Sequence, residues 1–185
     1  MQLQPDILLR DRLESPIGTI GLVTDSAGTL RALDFDDHEP RMKRLLARHY
    51  GATPLVAGAA PDIIRRALRS YFDGDFAALA GIPWATAGSA FQRTVWAALT
   101  RIPAGTTFSY GMLAANIGRA GASRAVGLAN GANPIAIVVP CHRVIGADGS
   151  LTGYGGGLHR KTWLLEHEGV RLAGAAQPDM FAAYA

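Results

Sequence analysis

An α/β protein in two unlike halves is predicted: a small N-terminal α/β domain with an antiparallel sheet, then a mainly α C-terminal domain containing a helix-turn-helix. Three observations carry this. Residues 7–35 read as strands, with the turn cluster Asp25-Ser26-Ala27-Gly28 between two apolar runs. Two stretches with helical spacing follow, before the Gly-, Pro- and Ala-rich passage 81–88. Beyond it, capping residues open one helix and then two short ones separated by Gly118-Arg119-Ala120-Gly121. The expected boundaries are an N-terminal domain over 1–80, a linker over 81–88, a C-terminal domain over 89–171 and a tail over 172–185.

Each element has a local reason. Residues 19–24 and 30–35 flank the hairpin turn. Pro40 opens a helix that places Met42, Leu45, Leu46 and His49 on one face. A second helix starts near Pro61-Asp62, repeats Ile63, Ile64, Ala67, Leu68 and Tyr71 at helical spacing, and stops by Gly74. His38 and His49 have no Cys or His companion at ligand spacing, so no metal site is expected there. Ser89-Ala90-Phe91-Gln92 has the form of a capping box, opening a helix with Phe91, Val95, Trp96 and Leu99 inward that ends before Pro103. Ser109 caps a short helix from Tyr110 to about Ile117. Ser123 is read as the cap of the next, from Arg124 to about Gly131, which Asn133-Pro134 terminates. The last helix runs from about Leu158 to Glu168 and closes at Gly169.

Composition bounds the class. Of 185 residues 49% are hydrophobic and 18% charged, which reads as globular with a real core. No apolar stretch approaches a membrane span, and the opening Met1-Gln2-Leu3-Gln4-Pro5-Asp6 does not read as a signal peptide. A single unpaired cysteine fits a reducing compartment, so a cytoplasmic protein is expected, or a nuclear one in a eukaryote. Charge is uneven: ten Lys/Arg against eleven Asp/Glu over residues 1–88, but eight against three over 89–178. The excess is either an ordinary solvated surface or a basic face for a polyanion.

The lone cysteine carries the chemistry. It follows Ile135-Ala136-Ile137-Val138-Val139-Pro140, so Cys141 is expected where a buried strand breaks off. Free cysteine usually serves as a small buried hydrophobe. Here His142 and Arg143 follow at once, a base and a fixed positive charge that favour a thiolate. The helix from Arg124 is mostly small residues with one long polar side chain, unlike a base-reading helix with three or four. Such a surface suits close packing or close approach of a phosphate backbone. Gly153-Tyr154-Gly155-Gly156-Gly157 permits close backbone approach to a ligand, or a turn. Glu168, at the unfavourable end of its helix, needs a local partner, and a histidine is a natural one.

Pro140-Cys141-His142-Arg143-Val144, Arg124-Ala125-Val126-Gly127 through Asn133-Pro134, Gly153-Tyr154 with Gly156-Gly157, and Trp163-Leu164-Leu165 with His167-Glu168-Gly169 resemble, in order and spacing, the O6-alkylguanine-DNA alkyltransferases. The resemblance covers roughly residues 89–171; residues 1–80 fit only in outline. It implies a ribonuclease-H-like roll before a winged-helix-like domain. It implies a monomer without cofactor that binds double-stranded DNA, largely regardless of sequence, and flips O6-alkylguanine into a pocket. The alkyl group then passes irreversibly to Cys141, with O4-alkylthymine left open as a second substrate.

The implied roles follow residue by residue. His142 draws the thiol proton through a water, and Glu168 orients the imidazole. Asn133 braces the cysteine turn. Arg124 fills the gap left by the extruded base, with Ser123 and Ala125 beside it on the DNA. Tyr110 presses on a phosphate during flipping and later hydrogen-bonds the base. The Val144 carbonyl and the backbone of Tyr154, Gly155 and Gly156 hold the guanine edge. Members that bind a structural zinc do so through N-terminal Cys and His; no cysteine stands there in this chain, so no metal is expected. Two other classes compete: a cysteine hydrolase, which turns over, and a lesion-binding protein on the same scaffold, which lacks the cysteine. A transcription regulator is a weaker rival, with no spare effector domain in this length.

Overall fold

The computed structural model describes residues 5–172. The predicted mixed architecture is present: a small sheet, six α-helices among the described residues, and 3-10 turns between them. Strands β1 (Leu8–Leu13), β2 (Ile20–Asp25) and β3 (Leu30–Phe35) form an antiparallel meander. After α1 (Glu39–Tyr50), the three-residue β4 (Leu55–Ala57) joins the other edge parallel to β1. The sheet order is β3-β2-β1-β4, so the sheet is mixed where a purely antiparallel one was expected. Its fourth strand is too short, and too exposed at all three positions, to leave a readable apolar pattern.

Every residue of β2 is buried because both faces of the sheet are covered. Leu8, Val23 and Ala32 meet Met42, Leu46 and Tyr50 of α1 on one face. Leu13, Ile20, Leu22, Leu33 and Phe35 face the larger core, shared with α2 (Asp62–Phe72), α3 (Ala90–Leu99) and the C-terminal elements. This alternation is the period-2 pattern of a strand with two apolar neighbours. The passage 81–88 is not a free tether. Leu30 N donates to Pro83 O and Ala85 N to Leu30 O, so it runs along β3, with Ile82 and Thr86 buried.

Local capping chemistry places the helices. Ser89 and Gln92 make both bonds of the capping box at the start of α3. Ser109 accepts from Met112 N and so caps α4 (Tyr110–Asn116). In α5 (Ser123–Gly131) the expectation fails: Ala122 is the N-cap and Ser123 makes no capping bond. Val126 N already donates to Ala122 O, so the helix begins one residue early and Ser123 lies inside its first turn. The two residues β5 (Phe108–Ser109) pair in parallel with β6 (Val144–Ile145), tying the start of α4 to the segment after the cysteine. Helix α6 (Leu158–His167) ends with Glu168 at its C-cap and Gly169 at φ 84°.

Candidate active site

Cys141 does not sit at the end of a strand. Ile135 makes one bridge to Leu33 at the edge of β3, and the chain then coils. Val138 N donates to Ala136 O, Val139 N to Ile135 O and Cys141 N to Val139 O. Ile137 lies at φ 68°, a conformation that costs a β-branched residue about 1–3 kcal/mol. The run from 135 to 139 is apolar because the loop is buried on all sides, a demand that strands and interior loops share. Cys141, His142 and Arg143 form a 3-10 turn after it.

Side chains hold this loop from beneath. Asn133 Nδ2 donates to Val139 O at 2.8 Å and Ile135 O at 3.3 Å, while its Oδ1 accepts from Ile135 N at 3.0 Å. Asn130 of α5 donates to the Cys141 carbonyl at 3.3 Å. From the N-terminal half, Arg41 bonds Asp34 at 2.5 Å, Gly131 O at 2.9 Å and Asn133 O at 3.1 Å.

Glu168 is the hub of the polar network. His142 Nε2 meets its Oε1 at 3.0 Å, Arg143 Nε and Nη2 bind Oε2 and Oε1 at 2.8 Å each, and the Tyr71 hydroxyl donates to Oε1 at 2.8 Å. Arg143 also donates to Ile102 O at 2.5 Å. Burial alone would raise the Glu168 pKa, but the bonds from His142 and Arg143 outweigh it and hold the carboxyl at about 2. Burial lowers the His142 pKa against the pull of Glu168. His142 Nδ1 has no hydrogen-bond partner among the described residues, so it is the ring nitrogen available to receive a proton.

The electrostatics of the thiol differ from the sequence expectation. Arg143 is consumed by Glu168 and does not act on the cysteine. Burial pushes the Cys141 thiol up, partly offset by a hydrogen bond from Asn133 and the charges of Arg41 and Lys161. The resting group is therefore a protonated thiol that needs a base, not a standing thiolate.

The glycine-rich loop closes the site. A Cβ on Gly155 would come within 2.4 Å of the Arg41 guanidinium, and one on Gly156 within 2.4 Å of the Phe35 ring. Arg160 stacks over Phe35 at 4.2 Å, donating to Gly156 O and Ile17 O and pairing with Asp37. Tyr154 lies edge-on to His142 at 6.5 Å, and burial raises its phenol pKa well above the usual value. Lys161, fully buried, donates from Nζ to Val144 O at 2.6 Å and Thr152 O at 2.8 Å. Burial lowers its pKa to about 8.

Cys141, His142, Asn133, Val144, Tyr154, Gly155, Gly156 and Glu168 thus surround one site. Tyr110, at the start of α4, adjoins it through Thr152, whose Oγ1 donates to the Tyr110 hydroxyl at 3.1 Å. Arg124 and Ala125 are exposed on the first turn of α5, with Ser123 half-buried beside them. Sequence reasoning missed Tyr71, Lys161, Arg41 and Arg160. Tyr71 reads as one more core position; only the rule that a buried phenol needs a partner hints at more. Nothing local distinguishes Lys161 from a solvated helix lysine. Among the described residues no group of three or more His, Cys, Asp or Glu is placed to hold a metal.

Comparison with known proteins bears on this arrangement. Residues 90–170 match the family model of the 6-O-methylguanine DNA methyltransferase DNA-binding domain. The methylated-DNA–protein-cysteine methyltransferase of Salmonella typhimurium is 48% identical over 167 residues, 89% of this chain and 98% of the relative. That of Mycobacterium tuberculosis is 46% identical over 161 residues, 86% and 91% of the two chains. The crystal structure of M. tuberculosis OGT in complex with DNA superposes with a TM-score of 0.72 at 42% identity, covering 86% of this chain and 92% of that one. Such identity along nearly the whole length of the relatives, over a buried cysteine backed by a histidine–carboxylate pair, leaves one conclusion: the chain belongs to the methylated-DNA–protein-cysteine methyltransferase family.

Proposed function

We propose that this protein repairs DNA by moving an alkyl group from O6-alkylguanine in double-stranded DNA onto its own Cys141, once per molecule. The observation that carries the reading is the buried cysteine beside a histidine whose far nitrogen is held by Glu168. Neutral His142 takes the thiol proton at Nδ1, and Glu168 with Arg143 fixes the ring and balances the imidazolium. The sulfur attacks the alkyl carbon; the S–C bond forms as the C–O6 bond breaks. The departing guanine is left neutral by a proton from the nearby Tyr110 hydroxyl; solvent returns a proton to that oxygen and takes up the one His142 removed from the thiol, so no net charge remains. A thioether has no leaving group for water to displace, so the protein is spent.

The helical pair α4–α5 is the DNA-binding face in this reading. Its small residues admit the phosphate backbone, Arg124 fills the space of the flipped base, and Ser123 and Ala125 flank it. The Val144 carbonyl, one lone pair of which faces Lys161, and the backbone of Tyr154, Gly155 and Gly156 hold the guanine edge. The N-terminal α/β part is a ribonuclease-H-like roll, the passage 81–88 joins it to the rest, and residues 89–171 form a winged-helix-like domain. The expected tail lies, from residue 173 on, outside the described residues. Among the described residues no helix is long and apolar enough to cross a membrane. A cytoplasmic monomer without cofactor completes the proposal.

Intact-mass analysis after incubation with an O6-methylguanine duplex tests it. The expected result is a gain of one methyl group per chain, located on Cys141 and absent in Cys141→Ala. Turnover beyond one equivalent would instead favour a hydrolase.

A further inference from the structure

Tyr71 lies in the half of the molecule with the least patterned sequence, yet its hydroxyl reaches the carboxylate oxygen that faces the histidine. The O–H donates to Glu168 Oε1 at 2.8 Å, and His142 Nε2 meets that same oxygen at 3.0 Å. A second link runs the other way: His167 Nε2 contacts the Tyr71 carbonyl at 2.8 Å. Two consecutive residues at the end of α6 are therefore both tied to one residue of α2. The Tyr71 ring is fully buried and packs edge-on against Phe72, His167 and Phe76 at 5.3, 5.4 and 5.8 Å. Locked in that cage, the phenol has a fixed aim.

On the alkyl-transfer reading above, we propose that Tyr71 is a positioning residue: its hydroxyl holds Glu168 against His142 and moderates the carboxylate's pull on the imidazolium, keeping His142 a neutral base. Each donor on a shared oxygen takes up part of its negative charge. The groups facing Glu168 are Tyr71 from α2 and His142 and Arg143 from the cysteine turn, with His167 its neighbour in sequence. Those facing His142 are Glu168, Arg143 and Lys161, with the Tyr154 ring edge-on. Without the phenol's donation, more of the charge on Oε1 is directed at His142. The imidazolium is then favoured, and the neutral base needed to deprotonate Cys141 appears only at higher pH.

The test uses the full chain with Tyr71→Phe, which keeps the ring contacts, together with Glu168→Gln and the double variant. Single-turnover alkyl transfer is followed across pH, from O6-methylguanine in a duplex and from free O6-benzylguanine, below the melting midpoint of every variant. Tyr71→Phe is expected to slow both substrates equally, on the order of ten-fold, the usual scale for losing a hydrogen bond to a charged group. The acid limb of its pH profile should move to higher pH. Because Tyr71 acts through Glu168, the double variant should be no slower than Glu168→Gln alone. A parental rate and acid limb in Tyr71→Phe overturn the proposal. So does a slower variant with an unmoved limb and losses that multiply in the double variant, the mark of a merely structural role. A parent protein that takes up no alkyl group sinks the alkyl-transfer reading, and the proposal with it.

Discussion

Arg143 binds both oxygens of Glu168, Nε to Oε2 and Nη2 to Oε1, at 2.8 Å each, in a site where the carboxylate has no solvent-exposed side-chain surface. Arg143 stands two residues from the nucleophile in sequence, yet it binds the carboxylate that serves the histidine. Its planar fork fixes the carboxylate's orientation, which a lysine's single charged point cannot do. Stability and reactivity therefore meet at one buried carboxylate.

Acid should unfold the protein partly through Glu168. Its folded pKa of about 2 lies below the ordinary 4.5, so the unfolded chain binds the proton more readily. The stabilisation is fully present above about pH 4.5 and is lost as pH falls from there toward 2. His142 acts in the same direction at higher pH: its lowered pKa means stability falls as pH drops below its ordinary 6.5. Urea midpoints against pH check this. Glu168→Gln should be less stable at pH 7 by about 3–5 kcal/mol, because Arg143 is left buried and unpaired. The gap should narrow below pH 4.5. A constant gap from pH 7 to pH 3 would contradict the assignment.

Arg124→Ala should slow transfer from duplex DNA far more than transfer from free O6-benzylguanine. Arg124 is exposed on the first turn of α5, and unstacking a base costs a few kcal/mol. A loss of roughly ten- to hundred-fold on the duplex, with the free base nearly unchanged, is the expected pattern. Equal losses would show that Arg124 supports the fold rather than the DNA.

Gly156→Ala should damage the site without touching the cysteine. The added Cβ would lie 2.4 Å from Phe35 Cε2 and 3.0 Å from the Tyr154 ring, and Phe35 is fully buried beneath Arg160. Overpacking of this kind costs about 1–3 kcal/mol. Thermal melting should register the loss, and reactivity with free O6-benzylguanine should fall with it. A parental melt would mean that the glycine loop yields and Phe35 stays where it is.

Methylation of Cys141 should lower the melting midpoint. The residue is 6% exposed, in a loop braced by Asn130 and Asn133. One extra methyl in such packing typically costs about 1–3 kcal/mol, and the thioether cannot donate to the polar network. Melting curves before and after stoichiometric methylation decide it: an unchanged or raised midpoint would show that the site has room for the product.

What the sequence determined by itself was local. The capping box of Ser89 and Gln92, the cap at Ser109, the turn between β2 and β3 and the stop at Gly169 all depend on residues within a few positions of one another, so their chemistry is written contiguously. The cysteine was legible as the single one in the chain, its histidine as the next residue, and Glu168 as a carboxylate at the unfavourable end of its helix, each a local feature. Tertiary structure decided the rest. The run from 135 to 139 had the apolar character of a strand and became a buried loop, since hydrophobicity records burial and not backbone shape. Ser123 lost the capping position to Ala122 because the backbone turns one residue earlier. Arg143 looked like a partner for the thiol and went to Glu168. Tyr71, Arg41 and Lys161 carried no local mark that names their partners: Tyr71 reaches Glu168, Arg41 reaches the Asn133 carbonyl and Lys161 reaches the Val144 carbonyl only once the chain has folded. A side chain's type limits what it can bond, but only the folded chain selects which partner stands within 3 Å of it.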